Sequence, residues 1–311
     1  MSAPQILIGT RGSKLALAQA GQVRAAIAAA LGSDEAAALR IFSTAGDRIQ
    51  DRTLTEIGGK ALFTLEIEAA LRSGEVQCAV HSMKDMPADD PEGLVIAAVP
   101  TREDPRDAFL CEGYASLSHL PAGARLGTAS LRRQAQSLHR RPDLAVFPLR
   151  GNVDTRLGKM RAGEADAIIL AQAGLNRLGL GALARELIDP IAAPPAPAQG
   201  ALAIQTRAED AAAPWLRALE HAPTRLAITA ERSALRVLEG SCRTAIGAYA
   251  RIDGESLSLI VEALTPRGDR RFRRSGETPL IGASPVTAAR DLGRRLAQAI
   301  HDEAGDALTE T

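Results

Sequence analysis

The stretch IAAPPAPAQG, residues 191–200, decides how the chain is divided. Proline locks φ and lacks an N–H, so this run sits in neither a helix interior nor a central strand. It leads into ALAIQTR (201–207), an apolar strand. A second break, TREDPRDAF (101–109), lies well upstream. Between the two breaks strands and helices alternate: DAFLC (107–111), ARLGTASLRRQAQSL (124–138), AVFPLRGNVDTRLGKM (145–160) and DAIILAQAGLNRLG (166–179).

The segment before residue 101 has the same rhythm. ILIG (6–9) precedes SKLALAQAGQVRAAIAAAL (13–31), where Val23, Ile27 and Leu31 mark one helical face. LRIFSTAGD (39–47) is a second strand ending in a turn. ALFTLEIEAALRSG (61–74) reads as a helix closed by Gly74. Strands follow at 78–80 and in LVIAAVP (94–100). Such alternation calls for parallel sheets with helices on their faces. With 101–107 and 191–200 as linkers, the chain crosses twice between two such bodies and leaves a cleft. The expected fold class is therefore α/β: two hinged, doubly wound lobes like those of periplasmic binding proteins, plus a small C-terminal α+β domain. The expected boundaries are 1–101 with 200–218 for the first lobe, 102–199 for the second, and 219–311 for the last domain. IGTRGSKLALAQA (8–20) and LGTASLRRQAQSL (126–138) echo each other, as divergent repeats or by coincidence.

In the last third, TRLAITAERSALRVLEG (224–240) and PVTAARDLGRRLAQAIHDEAGDAL (285–308) read as helices. IGAYARI (246–252) and LSLIVEALTP (257–266) read as strands around the Asp253–Gly254 turn. RGDRRFRR (267–274) reads as a solvated hairpin rim.

Composition narrows the function. Of 311 residues, 46% are hydrophobic and 24% charged, with zero net charge and 3% aromatics. Neither nucleic acid nor an anionic membrane surface is a natural partner for such a chain. No basic segment followed by a long apolar run opens it, and no stretch approaches the roughly 20 apolar residues of a membrane span. The three cysteines, Cys78, Cys111 and Cys242, form no CxxC pair, and the five histidines make no paired ligand spacing. A monomeric cytoplasmic protein without a metal site is expected.

The candidate chemistry lies at strand ends. In AVHSMKDMP (79–87), Lys84 and Asp85 arrive where an apolar strand leaves its sheet, as a surface ion pair or a reaction centre. Arg11, Arg132, Arg133, Arg150 and Arg156 fall in strand-to-helix connections or first helical turns, and Arg177 follows another strand. That edge is where open α/β sheets bind ligands. Ser13 and Ser130 stand as helix N-caps there. Each arginine alone could be ordinary surface; together they suit a ligand with several carboxylates or phosphates. Cys242 lies in LEGSCRTAIG (238–247) after Gly240 and Ser241, in a turn that exposes an inert or a reactive thiol. Cys78 and Cys111 sit in apolar runs as small hydrophobes.

HSMKDMP (81–87), EDPRDAF (103–109), GTASLRRQAQ (127–136), RRPDL (140–144), LRGNVDTRL (149–157), DAIILAQAGLNRLGL (166–180) and LEGSCRTAIGAYA (238–250) resemble the porphobilinogen deaminase (hydroxymethylbilane synthase) family. The resemblance implies a transferase of tetrapyrrole and haem biosynthesis. It would join four porphobilinogen molecules head to tail into 1-hydroxymethylbilane, releasing four ammonias. It also implies a dipyrromethane cofactor, made from substrate and held by a thioether to Cys242. Asp85 matches the family's catalytic aspartate and Lys84 its carboxylate-binding neighbour. Arg11, Ser13, Thr128, Ser130, Arg132, Arg133, Arg150, Arg156 and Arg177 would bind cofactor, substrate or growing chain. A six-ring chain carries about a dozen carboxylates for them to hold. Segment 48–62 resembles the family's loop over the cleft, with Gly58 and Gly59 as hinges and Lys60 and Phe63 as contacts. The sequence departs from the family in reading GSC where GGC is frequent, RTAIG without a proline, TRGSKLA, and TAGD without an arginine. The rivals are a solute receptor and an arginine-rich nucleic-acid binder, neither of which would carry an adduct on Cys242.

Overall fold

The computed structural model describes residues 5–44, 64–238, 244–282 and 284–308. The chain forms two compact units: Met1–Glu103 with Ala201–Arg225, and Asp104–Gly200 with Leu226–Thr311.

The first unit is built on a five-stranded sheet. Its elements are β1 (Ile6–Arg11), α1 (Lys14–Leu31), β2 (Ala37–Phe42), α2 (Leu65–Ser73), β3 (Cys78–Ser82) and β4 (Leu94–Ala98). After the excursion through the second unit, β10 (Leu202–Arg207) returns, and the strand order is β2-β1-β3-β10-β4. β1 pairs parallel with β2 and β3, whereas β10 runs antiparallel to both β3 and β4. Alternate side chains explain the layers. Ile6, Ile8, Cys78, Val80, Leu202 and Ile204 pack with Val23 and Ile27 of α1. Ala79 packs on the opposite face with Ile67 and Leu71 of α2. Each fully buried aliphatic side chain here contributes roughly 1.5–3 kcal/mol. Gly74, in left-handed conformation, ends α2 as expected from the sequence.

The second unit carries β5 (Asp107–Cys111), β6 (Arg125–Gly127), α3 (Leu131–Arg140), β7 (Ala145–Phe147), α4 (Val153–Arg161), β8 (Ala167–Ala171), α5 (Gln172–Arg177) and β9 (Glu186–Leu187). Its strand order is β7-β6-β8-β5-β9. β6 is parallel to β7 and β8, and β5 is antiparallel to β8 and β9. This is the same plan as the first sheet. In both, the antiparallel strand is the one entered after a crossing segment. The echoing stretches accordingly occupy equivalent places, β1–α1 and β6–α3. This match of position is what divergent repeats would leave.

The remaining elements are α6 (Ala222–Leu238), β11 (Ala245–Asp253), β12 (Ser256–Leu264), β13 (Arg271–Pro279) and α7 (Pro285–Ala304). The three strands form an antiparallel meander, and Leu292 and Leu296 of α7 lie against β13 at Gly276. One expectation is corrected here. The run 267–274 is not merely a hairpin rim, because Arg271–Arg274 open a third strand paired along its full length with β12. Its sequence, RFRRSGETP, hid this because Phe272 is its one large apolar residue. Arg271 and Arg273 earn a place in the strand by pairing with buried Glu262 of β12.

Candidate functional site

In the first unit the predicted residues collect where parallel strands end. Arg11 closes β1. Ser13 caps α1, its Oγ accepting from Ala16 N at 3.3 Å. On the neighbouring strand, β3 passes into a single 3-10 turn, Met83–Asp85. Met83 and Met86, both buried, anchor that turn. Met83 N donates to Ala201 O (3.0 Å) and Met86 N to Met83 O (3.2 Å). Lys84 and Asp85 between them are half-buried. The Asp85 carboxylate makes no hydrogen bond or ion pair with any described residue, so the alternative of a Lys84–Asp85 ion pair does not hold.

Two buried groups behind this turn escaped the sequence reading. Gln19 donates through Nε2 to Ser82 Oγ at 2.8 Å. His81, buried on β3, has its pKa lowered to about 4 by burial. The neighbouring Gln205 amide acts the other way, and the charge of Arg11 adds to the lowering. The motif HSMKD contained His81, but nothing in its spacing marked that residue as buried. Cys78 and Cys111 are buried, and burial pushes the Cys78 thiol up to about 12, as befits a small hydrophobe.

The second unit repeats the arrangement with more cations. Thr128 follows β6, its N–H donating to Phe147 O (3.0 Å) and its Oγ1 accepting from Ser130 N (3.1 Å). Ser130 caps α3 by accepting from Arg133 N at 3.4 Å. Arg150 follows β7, and Arg156 lies in the first turn of α4, its Nε donating to Gly151 O at 2.7 Å. Arg177 closes α5 and donates to Gly200 O at 2.8 Å. All three are half-buried.

Arg132 and Arg133 differ in being buried around a carboxylate that the sequence did not single out, Asp107. Arg132 donates from a terminal nitrogen to Asp107 Oδ2 at 2.7 Å. Arg133 donates to Asp107 Oδ1 from Nε at 3.1 Å and from a terminal nitrogen at 2.8 Å. Gln199 adds a bond to the same Oδ1 at 2.8 Å. Asp107 reaches this edge because β5 is antiparallel: its first residue pairs with Ala171, the last of β8. The available signal was an acidic residue opening the apolar strand DAFLC. Burial alone would raise the Asp107 pKa, but the two guanidiniums outweigh it and hold the carboxyl well below the usual carboxylate range. Two buried cations against one anion leave surplus positive charge. Arg132 Nε is also buried without an acceptor among the described residues. A buried donor left unsatisfied costs about 1–3 kcal/mol, so this edge is suited to an anionic ligand.

Cys242, Lys60 and Phe63, with the segment 48–62, lie outside the described residues. Among the described residues there is no group of three or more His, Cys, Asp or Glu that could hold a metal, and no helix long and apolar enough to cross a membrane.

Residues 6–214 match the family model described as porphobilinogen deaminase, dipyromethane cofactor binding domain, and residues 225–302 match the model of its C-terminal domain. The chain is 60% identical over 317 residues to the porphobilinogen deaminase of Caulobacter sp. (strain K31), covering 100% of both chains. It is 61% identical to that of Caulobacter vibrioides (strain NA1000 / CB15N), covering 98% of each. The enzyme of Phenylobacterium zucineum (strain HLK1) is 60% identical, again with 98% of each covered. Among solved structures, the methionine-binding protein MetQ overlaps with a TM-score of 0.44 at 14% identity, over 76% of this chain and 96% of that one. The full-length identity and the two matched domain models agree: the chain belongs to the porphobilinogen deaminase family.

Proposed function

We propose that Asp85 is the catalytic group and that the arginine edges hold the reactants for the reaction of this family. That reaction is the head-to-tail condensation of four porphobilinogen molecules into 1-hydroxymethylbilane, with release of four ammonias. The observation that carries the role of Asp85 is its carboxylate: half-buried, beside Lys84, and bonded to no described residue. A carboxylate so placed can hold the proton that goes with the departing amine. Its negative charge then stabilises the cation left on the substrate, and it accepts the proton displaced when the new carbon–carbon bond forms.

The dipyrromethane group of the family fits the second unit on two counts. Its carboxylates match the surplus positive charge around Asp107, and Arg132 Nε is a buried donor awaiting an acceptor. When bound, the group supplies the free pyrrole carbon that starts the chain. We assign its attachment to Cys242 through a thioether. Arg132, Arg133, Arg150, Arg156, Arg177, Thr128 and Ser130 in the second unit, and Arg11, Ser13 and Lys84 in the first, bind carboxylates of cofactor, substrate or growing chain. Lys60 and Phe63 are loop contacts. In this reading, residues 1–101 with 200–218, residues 102–199 and residues 219–311 act as three domains of a cytoplasmic monomer, with porphobilinogen rather than nucleic acid or membrane as partner.

Asp85→Asn tests the central assignment. Because the carboxylate bonds to no described residue, the fold and KM should hold within a few-fold, while kcat drops by about 10²–10⁴. A kcat within tenfold of the parent would remove Asp85 from the chemistry.

A further inference from the structure

We propose that Glu262 and Gln136 are positioning residues that hold Arg132 in place from the C-terminal sheet, an inference resting on the reading of Arg132 as a carboxylate binder. Gln136 lies one turn after Arg132 on α3 and is buried with it. Its Nε2 donates to Glu262 Oε1 at 2.9 Å and to Pro194 O at 2.9 Å. Both partners can only accept, so the amide nitrogen must face them. The amide oxygen is thereby turned toward Arg132, which can only donate, and accepts from its terminal nitrogen at 2.8 Å. A flipped amide would set donor against donor at Arg132 and acceptor against acceptor at Glu262.

Glu262 is itself held. Arg271 Nε donates to its Oε2 at 2.6 Å, and Arg273 lies 3.6 Å from the same oxygen. Pro194 O also accepts from Arg132 at 3.3 Å, so the proline-rich crossing segment contributes a second restraint. The chain of contacts therefore runs from β13 through β12 and α3 to the guanidinium, and the Gln136 amide at its centre has one allowed orientation. It gives the basic strand β13 a use that its sequence did not disclose. The strand's arginines pair with the Glu262 carboxylate and so hold in place the acceptor that orients Gln136.

The test is a double-mutant cycle on full-length holoenzyme, with cofactor-bearing molecules counted by intact mass and kcat/KM for porphobilinogen expressed per such molecule. Arg132→Lys is expected to lower kcat/KM at least tenfold. Gln136→Met, which keeps the volume and leaves Glu262 with both arginines, should do nearly the same. The double variant should be no worse than Arg132→Lys alone, because both changes remove one function. Glu262→Gln, which keeps an acceptor for Gln136, should stay within threefold of the parent, while Glu262→Met should behave like Gln136→Met. The positioning role is overturned if Arg132→Lys loses tenfold but Gln136→Met and Glu262→Met both stay within threefold. Multiplicative losses in the double variant overturn it too. An Arg132→Lys enzyme with parental kcat/KM instead sinks the reading of Arg132 as a carboxylate binder, and the proposal with it.

Discussion

Replacing Asp107 with asparagine isolates the electrostatics of the second unit. The aspartate accepts from Arg132, Arg133 and Gln199, with all four side chains buried. The asparagine keeps the shape and one acceptor but leaves two guanidiniums without their counter-charge. Breaking a buried ion pair from one side costs about 3–5 kcal/mol, largely through the charge left uncompensated. In urea, with a slope of roughly 2–3 kcal/mol/M, the midpoint should fall by about 1–2.5 M. Far-UV circular dichroism is the readout, because Trp215, the sole tryptophan, lies in the first unit. The sign of the pH dependence follows from the depressed carboxyl. Its stabilisation is fully present above the unfolded carboxyl pKa of about 3.9 and is lost as pH falls toward the folded value. The gap between parent and variant should therefore be constant from pH 7 to 5 and narrow below pH 4. A gap under 1 kcal/mol at pH 7, or one that widens in acid, would refute the assignment of Asp107 as the counter-ion of this edge.

His81 adds an acid sensitivity of the same sign at higher pH. Its pKa is lowered to about 4 in the fold, so the unfolded chain binds its proton first and stability falls as pH drops from about 6.5 to 4, by on the order of 3 kcal/mol. His81→Met should remove that slope in urea titrations; an unchanged slope would place the acid lability elsewhere. Gly268, in the β12–β13 turn, has φ +71, and a Cβ there would stand 2.3 Å from Ala135 O on α3. Gly268→Ala is accordingly expected to cost about 2–4 kcal/mol by left-handed strain and overpacking. A variant melting with the parent would show that this turn does not rest on α3.

Much of the site was legible because its determinants are local. Ser13 and Ser130 announce helix starts within a few residues, and the arginines follow their strands directly in sequence. The twofold plan showed through the echo of 8–20 and 126–138, since a strand, a turn and a capped helix are all short-range events. The partner of Arg132 and Arg133 was hidden because it depends on β5 running antiparallel to β8, which places Asp107 at the edge from 25 residues away. β13 was hidden because its arginines are neutralised by Glu262, a pairing set by register rather than by hydrophobic alternation. Likewise, nothing near Gln136 in the sequence announces Glu262, 126 residues further on.

The assignment of Cys242 as the anchor of the dipyrromethane group is tested most directly by weighing the purified protein and mapping its peptides. The account predicts an added mass equal to two porphobilinogens less two ammonias, confined to the peptide that contains Cys242, with further rings appearing on that peptide when porphobilinogen is supplied. An unmodified Cys242 peptide that gains no ring from porphobilinogen while ammonia is released would contradict it.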